Sequence, residues 1–163
     1  MSHRLVIDGY NLFHRWAPTG PLVRDSTDPA AALTRALRRL AEATGRRKRR
    51  PLVVLDGVLD GVGTPGALAV RFAGAGRTAD ACIEEIVRDA PRPRDIVVVT
   101  SDRALGGRVA ALGAQPETVE TYLAGLADAG APAERKPPPP SRAEVESWLE
   151  VFGDGEDILR EEG

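Results

Sequence analysis

The chain has 163 residues, of which 42% are hydrophobic and 28% charged, and its net charge is −2. This composition describes one globular domain with material for a sizeable core, and it excludes both a disordered chain and a bulk nucleic-acid coat. The single cysteine, Cys82, excludes an intrachain disulfide and is expected in the core, and 4% aromatic residues are too few for a base-stacking platform. No apolar run approaches the ~20 residues of a membrane span. The opening "MSHRLVIDGYN" has an apolar run too short for a signal peptide, and the run ends in Asp8, so a cytoplasmic location is expected.

In chain order, "LVI" (Leu5 to Ile7) reads as a first strand running straight into Asp8, Gly9, Tyr10 and Asn11. "DPAAALTRALRRLAEATG" predicts a helix with Asp28 as N-cap, Pro29 at its first position and Gly45 as its stop. Leu33, Ala36, Leu37, Leu40 and Ala41 form its apolar stripe. The basic block Arg46 to Arg50 precedes the second strand, "LVVL" (Leu52 to Leu55). It is expected at the amino edge of the sheet, as a solvated loop or a contact for structured RNA. "LAVRF" (Leu68 to Phe72) is a short candidate strand. "TADACIEEIVRDA" predicts a helix capped by Thr78, with Ile83, Ile86 and Val87 inward. "IVVV" (Ile96 to Val99) is the next strand, and "SDRALGGRVAALG" the helix after it. Gly106 and Gly107 are expected to interrupt that helix, at about 1 kcal/mol each relative to Ala. Pro116 confines "AQPET" to an edge strand or loop. "ETVETYLAGLADA" predicts one more helix.

Short strands apolar on both sides, alternating with helices, imply a parallel sheet in an open, doubly wound α/β fold. Residues 1–128 are assigned to this domain. "GAPAERKPPPP" marks a Pro-rich linker over 129–140. Residues 141–163 then restart with Ser141 and Glu144 as a capping box, and Val145, Trp148, Leu149 and Phe152 share one helix face.

Chemistry enters at the strand ends. Asp8, Asp56 and Asp102 each lie at or just past the carboxyl end of a strand, where open α/β sheets form their ligand crevice. Asp80, with Glu84 one turn on, begins the helix that precedes the third apolar strand. Each acid has a plainer reading. Asp8 and Asp56 precede glycines and suit turns, whereas Asp80 and Asp102 suit a helix N-terminus. As a set, carboxylates in one crevice need a counter-charge. Oxygen ligands without Cys or His suit Mg²⁺ or Mn²⁺, and with them hydrolysis of a phosphodiester. Arg71 and Arg77, upstream of Asp80, and Arg103, beside Asp102, are the candidates for holding substrate phosphates. A haloacid-dehalogenase-type phosphohydrolase needs Asp-x-Asp at the first strand, where this chain has Asp8-Gly9-Tyr10. No Gly-x-Gly-x-x-Gly follows that strand, which disfavours a dinucleotide-binding protein.

The blocks "VIDGYNLF", "GRTADACIEEIV" and "IVVVTSDRAL", in this order, resemble the signature blocks of NYN domains, in the YacP-like branch of the PIN-like nuclease superfamily. "PPSRAEVESWLEVF" resembles that branch's C-terminal helix, so the likeness covers roughly Arg4 to Phe152. It implies a three-layer α/β/α sandwich with a central parallel sheet and an acidic metal site. It also implies endoribonuclease activity, which for some bacterial members acts on mRNA at the ribosome. By position, the family's acids fall on Asp8, Asp80 and Asp102, and Asn11 is the motif amide, whereas Asp56 matches less distinctively. The competing reading is a non-catalytic RNA- or ribosome-binding adaptor that keeps the fold. Uncompensated acids argue against it, because they oppose phosphate binding.

Overall fold

The computed structural model describes residues 5–45 and 50–130. The linker and C-terminal helix expected beyond residue 130, and positions 46–49 of the basic block, lie outside the described residues. By its internal contacts the chain divides into two units, 1–130 and 131–163.

Five strands, β1 (Leu5–Asp8), β2 (Leu52–Leu55), β3 (Ala69–Phe72), β4 (Val97–Val99) and β5 (Gln115–Glu117), form one sheet in the order β3-β2-β1-β4-β5. Every pairing is parallel. The helices are α1 (Gly9–Arg15), α2 (Gly20–Asp25), α3 (Pro29–Thr44), α4 (Ala79–Asp89), α5 (Arg103–Ala111) and α6 (Val119–Gly130). Successive strand residues face opposite sides, and the core divides accordingly. Ile7, Val53, Leu55 and Val99 pack with α1, α3 and α6. Val6, Leu52, Val54 and Val98 pack with Cys82, Ile83 and Val87 of α4 and with Leu105 and Val109 of α5. The result is the expected three-layer α/β/α sandwich. Cys82 is fully buried. Among the described residues no helix is long and apolar enough to cross a membrane.

Local chemistry explains the element ends. Asp28 accepts a hydrogen bond from the Ala31 amide at 3.2 Å and starts α3, which stops at Gly45, in the left-handed region at φ 68°. Replacing Asp28 by alanine is expected to cost about 1 kcal/mol of stability in urea unfolding, the usual value of an N-cap. Thr78 caps α4 through the Ala81 amide. Pro116 sits in β5 at the sheet edge. Its neighbours make the bonds to the sheet: the Gln115 amide donates to the Ile96 carbonyl, and the Thr100 amide to the Glu117 carbonyl. The missing N–H of Pro116 therefore falls on the outer side.

Two expectations change. The Gly106-Gly107 pair does not interrupt α5, which runs unbroken from Arg103 to Ala111. Asp102 anchors its first turn, and Gly106 lies against β5, where an added Cβ would meet Pro116 at 3.7 Å. In addition, α1 starts directly at the end of β1, where the plainer reading of Asp8-Gly9 is a turn and no helix is assigned. Gly9 permits this, because a Cβ there would lie 2.5 Å from Leu55 Cδ2 and 2.8 Å from Val53 Cγ1.

Candidate active site

The strand order puts β2, β1 and β4 side by side, so Asp56, Asp8 and Asp102 follow three adjacent strands. The chain winds outward from β1 in both directions, which makes the β1/β4 boundary the topological switch point. Asp8 sits at that boundary and is 6% exposed. The Thr100 hydroxyl, just past β4, donates to Asp8 Oδ2 at 3.1 Å. Burial pushes the Asp8 pKa up from 3.8 to about 6. The Thr100 bond opposes the rise, and the Asp80 and Asp56 carboxylates add to it.

Thr100 Oγ1 also accepts from the Asp102 amide at 3.1 Å, so one hydroxyl joins the first acid to the last. Asp102 Oδ1 accepts from the Ala104 and Leu105 amides and caps α5. Asn11, on the first turn of α1, accepts from the Ser101 amide at 2.8 Å and ties α1 to the β4–α5 loop. Ser101 in turn donates from its hydroxyl to Glu120, which pairs with Arg15 at 2.8 Å. Asp56 accepts from the Ala79 amide at 2.5 Å, so its carboxylate holds the start of α4 against the end of β2.

Asp80 stands in the first turn of α4, half-buried. Its pKa is raised, chiefly by burial and then by the Asp102 carboxylate; Arg108 opposes this, and Asp56 and Glu84 add to it. Arg108, from α5, pairs with Glu84 through Nε and with Asp80 through Nη2, the latter at 3.4 Å. Asp80 is thus within electrostatic reach of Asp8, Asp56, Asp102 and Glu84, and Asp8 is also within reach of Asp56. Among the described residues, however, no three acids or histidines stand assembled around one metal position. The donor chemistry, carboxylate oxygens alone, fits Mg²⁺ or Mn²⁺. Asp80 and Glu84 are turned toward a guanidinium instead, and Asp102 toward a helix end.

The arginines divide. Arg103 is exposed at the first position of α5, next to Asp102. Arg77 has its backbone at the β2 end, where its carbonyl accepts from the Gly57 amide, but its side chain pairs with Glu85 at 2.5 Å. Arg71 is not brought to the acids. Paired in register with Val54, it faces α4 and lines a groove of about 300 Å³ with Leu52, Ile86, Asp89 and Ile96 near the amino edge of the sheet. Sequence reasoning missed Thr100 and Arg108. Thr100 was visible as the first polar residue after an apolar strand. Arg108 could have been found by asking which cation in the chain meets the acids.

This architecture defines an open, doubly wound α/β domain with acids gathered at its switch point. The chain belongs to the YacP-like NYN domain family, whose model matches residues 5–142. That membership supports a ribonuclease-type function. Two crystal structures of Rae1 (YacP) from Bacillus subtilis share the fold. The W164L mutant superposes with a TM-score of 0.64, at 24% identity, over 83% of this chain and 80% of that one. A second Rae1 structure has a TM-score of 0.63, also at 24% identity, over 83% of this chain and 79% of that one. No curated protein matches.

Proposed function

We propose that this chain is a metal-dependent endoribonuclease that hydrolyses RNA phosphodiester bonds, with mRNA at the ribosome as its substrate. The observation that carries the reading is the buried Asp8 at the switch point, its pKa raised to about 6 beside Asp56 and Asp80. A carboxylate so placed is costly to ionise unless a cation joins it. Asp8, Asp80 and Asp102 would hold Mg²⁺ or Mn²⁺, with Asp56 and Glu84 at the margin. Such an ion activates water and neutralises charge on the reacting phosphate. The protein's own groups do the rest. Thr100 orients Asp8, Asn11 fixes the loop that carries Asp102, and Arg103 lies exposed beside that loop to meet phosphate. Arg77 and Arg71 would serve a longer RNA, and Arg77 would first have to leave Glu85.

The test is incubation of the purified protein with RNA and matching DNA, with Mn²⁺, Mg²⁺ or EDTA, alone and with translating ribosomes. Cleavage of RNA in Mn²⁺, its loss in EDTA and its loss in Asp80→Asn are expected. The Asp80→Asn variant should also melt no lower than wild type without metal, because its carboxylate is disfavoured where it stands. An Asp80→Asn variant that cleaves like wild type would reduce Asp80 to a helix-terminal acid. RNA binding without cleavage under any metal condition would establish the adaptor reading.

A further inference from the structure

We infer that Arg108 is a built-in counter-cation that competes with the divalent ion for Asp80 and Glu84, and so sets how tightly the acidic edge binds metal. The inference rests on the metal-site reading above. Arg108 lies on α5, six residues beyond Asp102, and reaches across to two consecutive turns of α4. Its forked head engages both acids at once, Glu84 through Nε and Asp80 through Nη2. Those acids are one helical turn apart on the side of α4 that faces α5. No other described cation is paired with Asp80. Arg88 touches Glu84 only at 3.9 Å, and Arg77 is taken by Glu85.

The geometry gives the guanidinium a place between two of the proposed ligands. Asp80 is a proposed ligand, and its Oδ2 is bonded to Arg108 at 3.4 Å. An ion that takes Oδ2 must displace the Nη2 bond. The unbroken course of α5 through Gly106 and Gly107 is what carries Arg108 into position, so this pairing depends on the continuity of that helix. Both pairs are partly exposed, at 45% and 36% for Arg108–Asp80 and 45% and 21% for Arg108–Glu84. Each is therefore weak enough to be displaced, which suits a competitor more than a permanent brace.

The experiment measures Mn²⁺ affinity by calorimetry on the full chain. Arg108→Gln keeps helix propensity and removes the charge. It is expected to bind Mn²⁺ severalfold tighter, up to about tenfold for two half-exposed pairs. Arg108→Lys keeps a point charge without the fork and should stay closer to wild type. Arg92→Gln, which breaks a comparable pair with Asp95 at the amino edge, should leave Mn²⁺ affinity unchanged. In wild type, adding Mg²⁺ should move the Arg108 Nε–H resonance, assigned by its loss in Arg108→Lys, toward that of a solvated arginine. That measurement stands even if Arg108→Gln fails to fold. If wild type binds Mn²⁺ and Arg108→Gln binds it no tighter, or if the Nε–H signal stays put on saturation, Arg108 is only a brace between helices and the inference is overturned. If neither protein binds Mn²⁺, the metal-site reading itself falls, and this inference with it.

Discussion

Gly9→Ala is expected to be among the most damaging single-methyl additions to this protein, lowering stability by about 2–3 kcal/mol or more in urea unfolding. The new Cβ would meet Leu55 Cδ2 at 2.5 Å, Val53 Cγ1 at 2.8 Å and the Val54 carbonyl oxygen at 3.1 Å. Leu55 and Val53 are fully buried, so neither side chain has solvent to swing into. The Val54 oxygen belongs to a central strand, and moving it disturbs the pairing of β2. The effect should reach function as well, because Gly9 lies between Asp8 and the turn of α1 that presents Asn11. Gly107→Ala provides the contrast. A Cβ there meets nothing within 4 Å, in the middle of a helix, and should stabilise by up to about 1 kcal/mol. A Gly9→Ala variant as stable as wild type would show that α1 can stand off the sheet, and Asp8 would then lose its fixed position.

What the sequence showed and what it hid follow from the same physics. The three inner strands were legible because a strand buried on both faces must be apolar throughout, as Val6, Ile7, Val53, Val54, Val98 and Val99 are; the edge strands β3 and β5 carry exposed residues such as Arg71 and Gln115 and gave a weaker signal. The capped helices α3 and α4 were legible because Asp28 and Thr78 carry the cap chemistry in their own side chains. Helix α1 was not legible. Asp-Gly-Tyr-Asn has a turn's composition, and the reason it forms a helix is the close approach of Gly9 to β2, a contact 44 to 46 residues away in sequence. The run through Gly106 and Gly107 was misread for a similar cause. Propensity penalises both glycines, but Asp102 caps the helix and Gly106 lies close to Pro116, so tertiary packing prevails. At the site, the sequence placed acids at strand ends, yet only the order β2-β1-β4 makes those ends neighbours. Nearness in sequence misled for Arg71. It lies nine residues before Asp80, but strand register turns it toward α4 and the amino edge. Arg108 stayed hidden because the need for a counter-charge was answered with a metal alone, before the helices could show which arginine reaches across.

The stability of the metal-free protein should fall as pH rises from about 4 to beyond 6, and Asp8 should be the main cause. Its folded pKa is about 6 against an ordinary 3.8, so the native state holds this proton more tightly than the unfolded chain does. The stabilisation is therefore complete below pH 3.8 and is lost as pH rises through 6. At about 1.4 kcal/mol per pH unit, the two-unit gap amounts to roughly 3 kcal/mol. Glu85 and Glu120 run the other way, their pKa values lowered by Arg77 and by Ser101, but both are exposed and screened. They also remain in the Asp8→Asn variant, so the difference between the two unfolding curves isolates Asp8. Wild type in EDTA should lose stability across pH 4–7 relative to Asp8→Asn, and at pH 7.5 the variant should be the more stable. The gain will fall short of 3 kcal/mol, because the amide accepts from Thr100 but leaves its own N–H group to find a partner in a buried place. Mn²⁺ should then reverse the ranking. An ion held at the proposed site would neutralise the ionised Asp8 and raise the melting temperature of wild type with concentration, whereas the variant, without the proposed ligand, should respond little. Parallel pH curves for the two proteins would mean that Asp8 ionises like a surface acid, and the argument for a cation at the switch point would lose its main support.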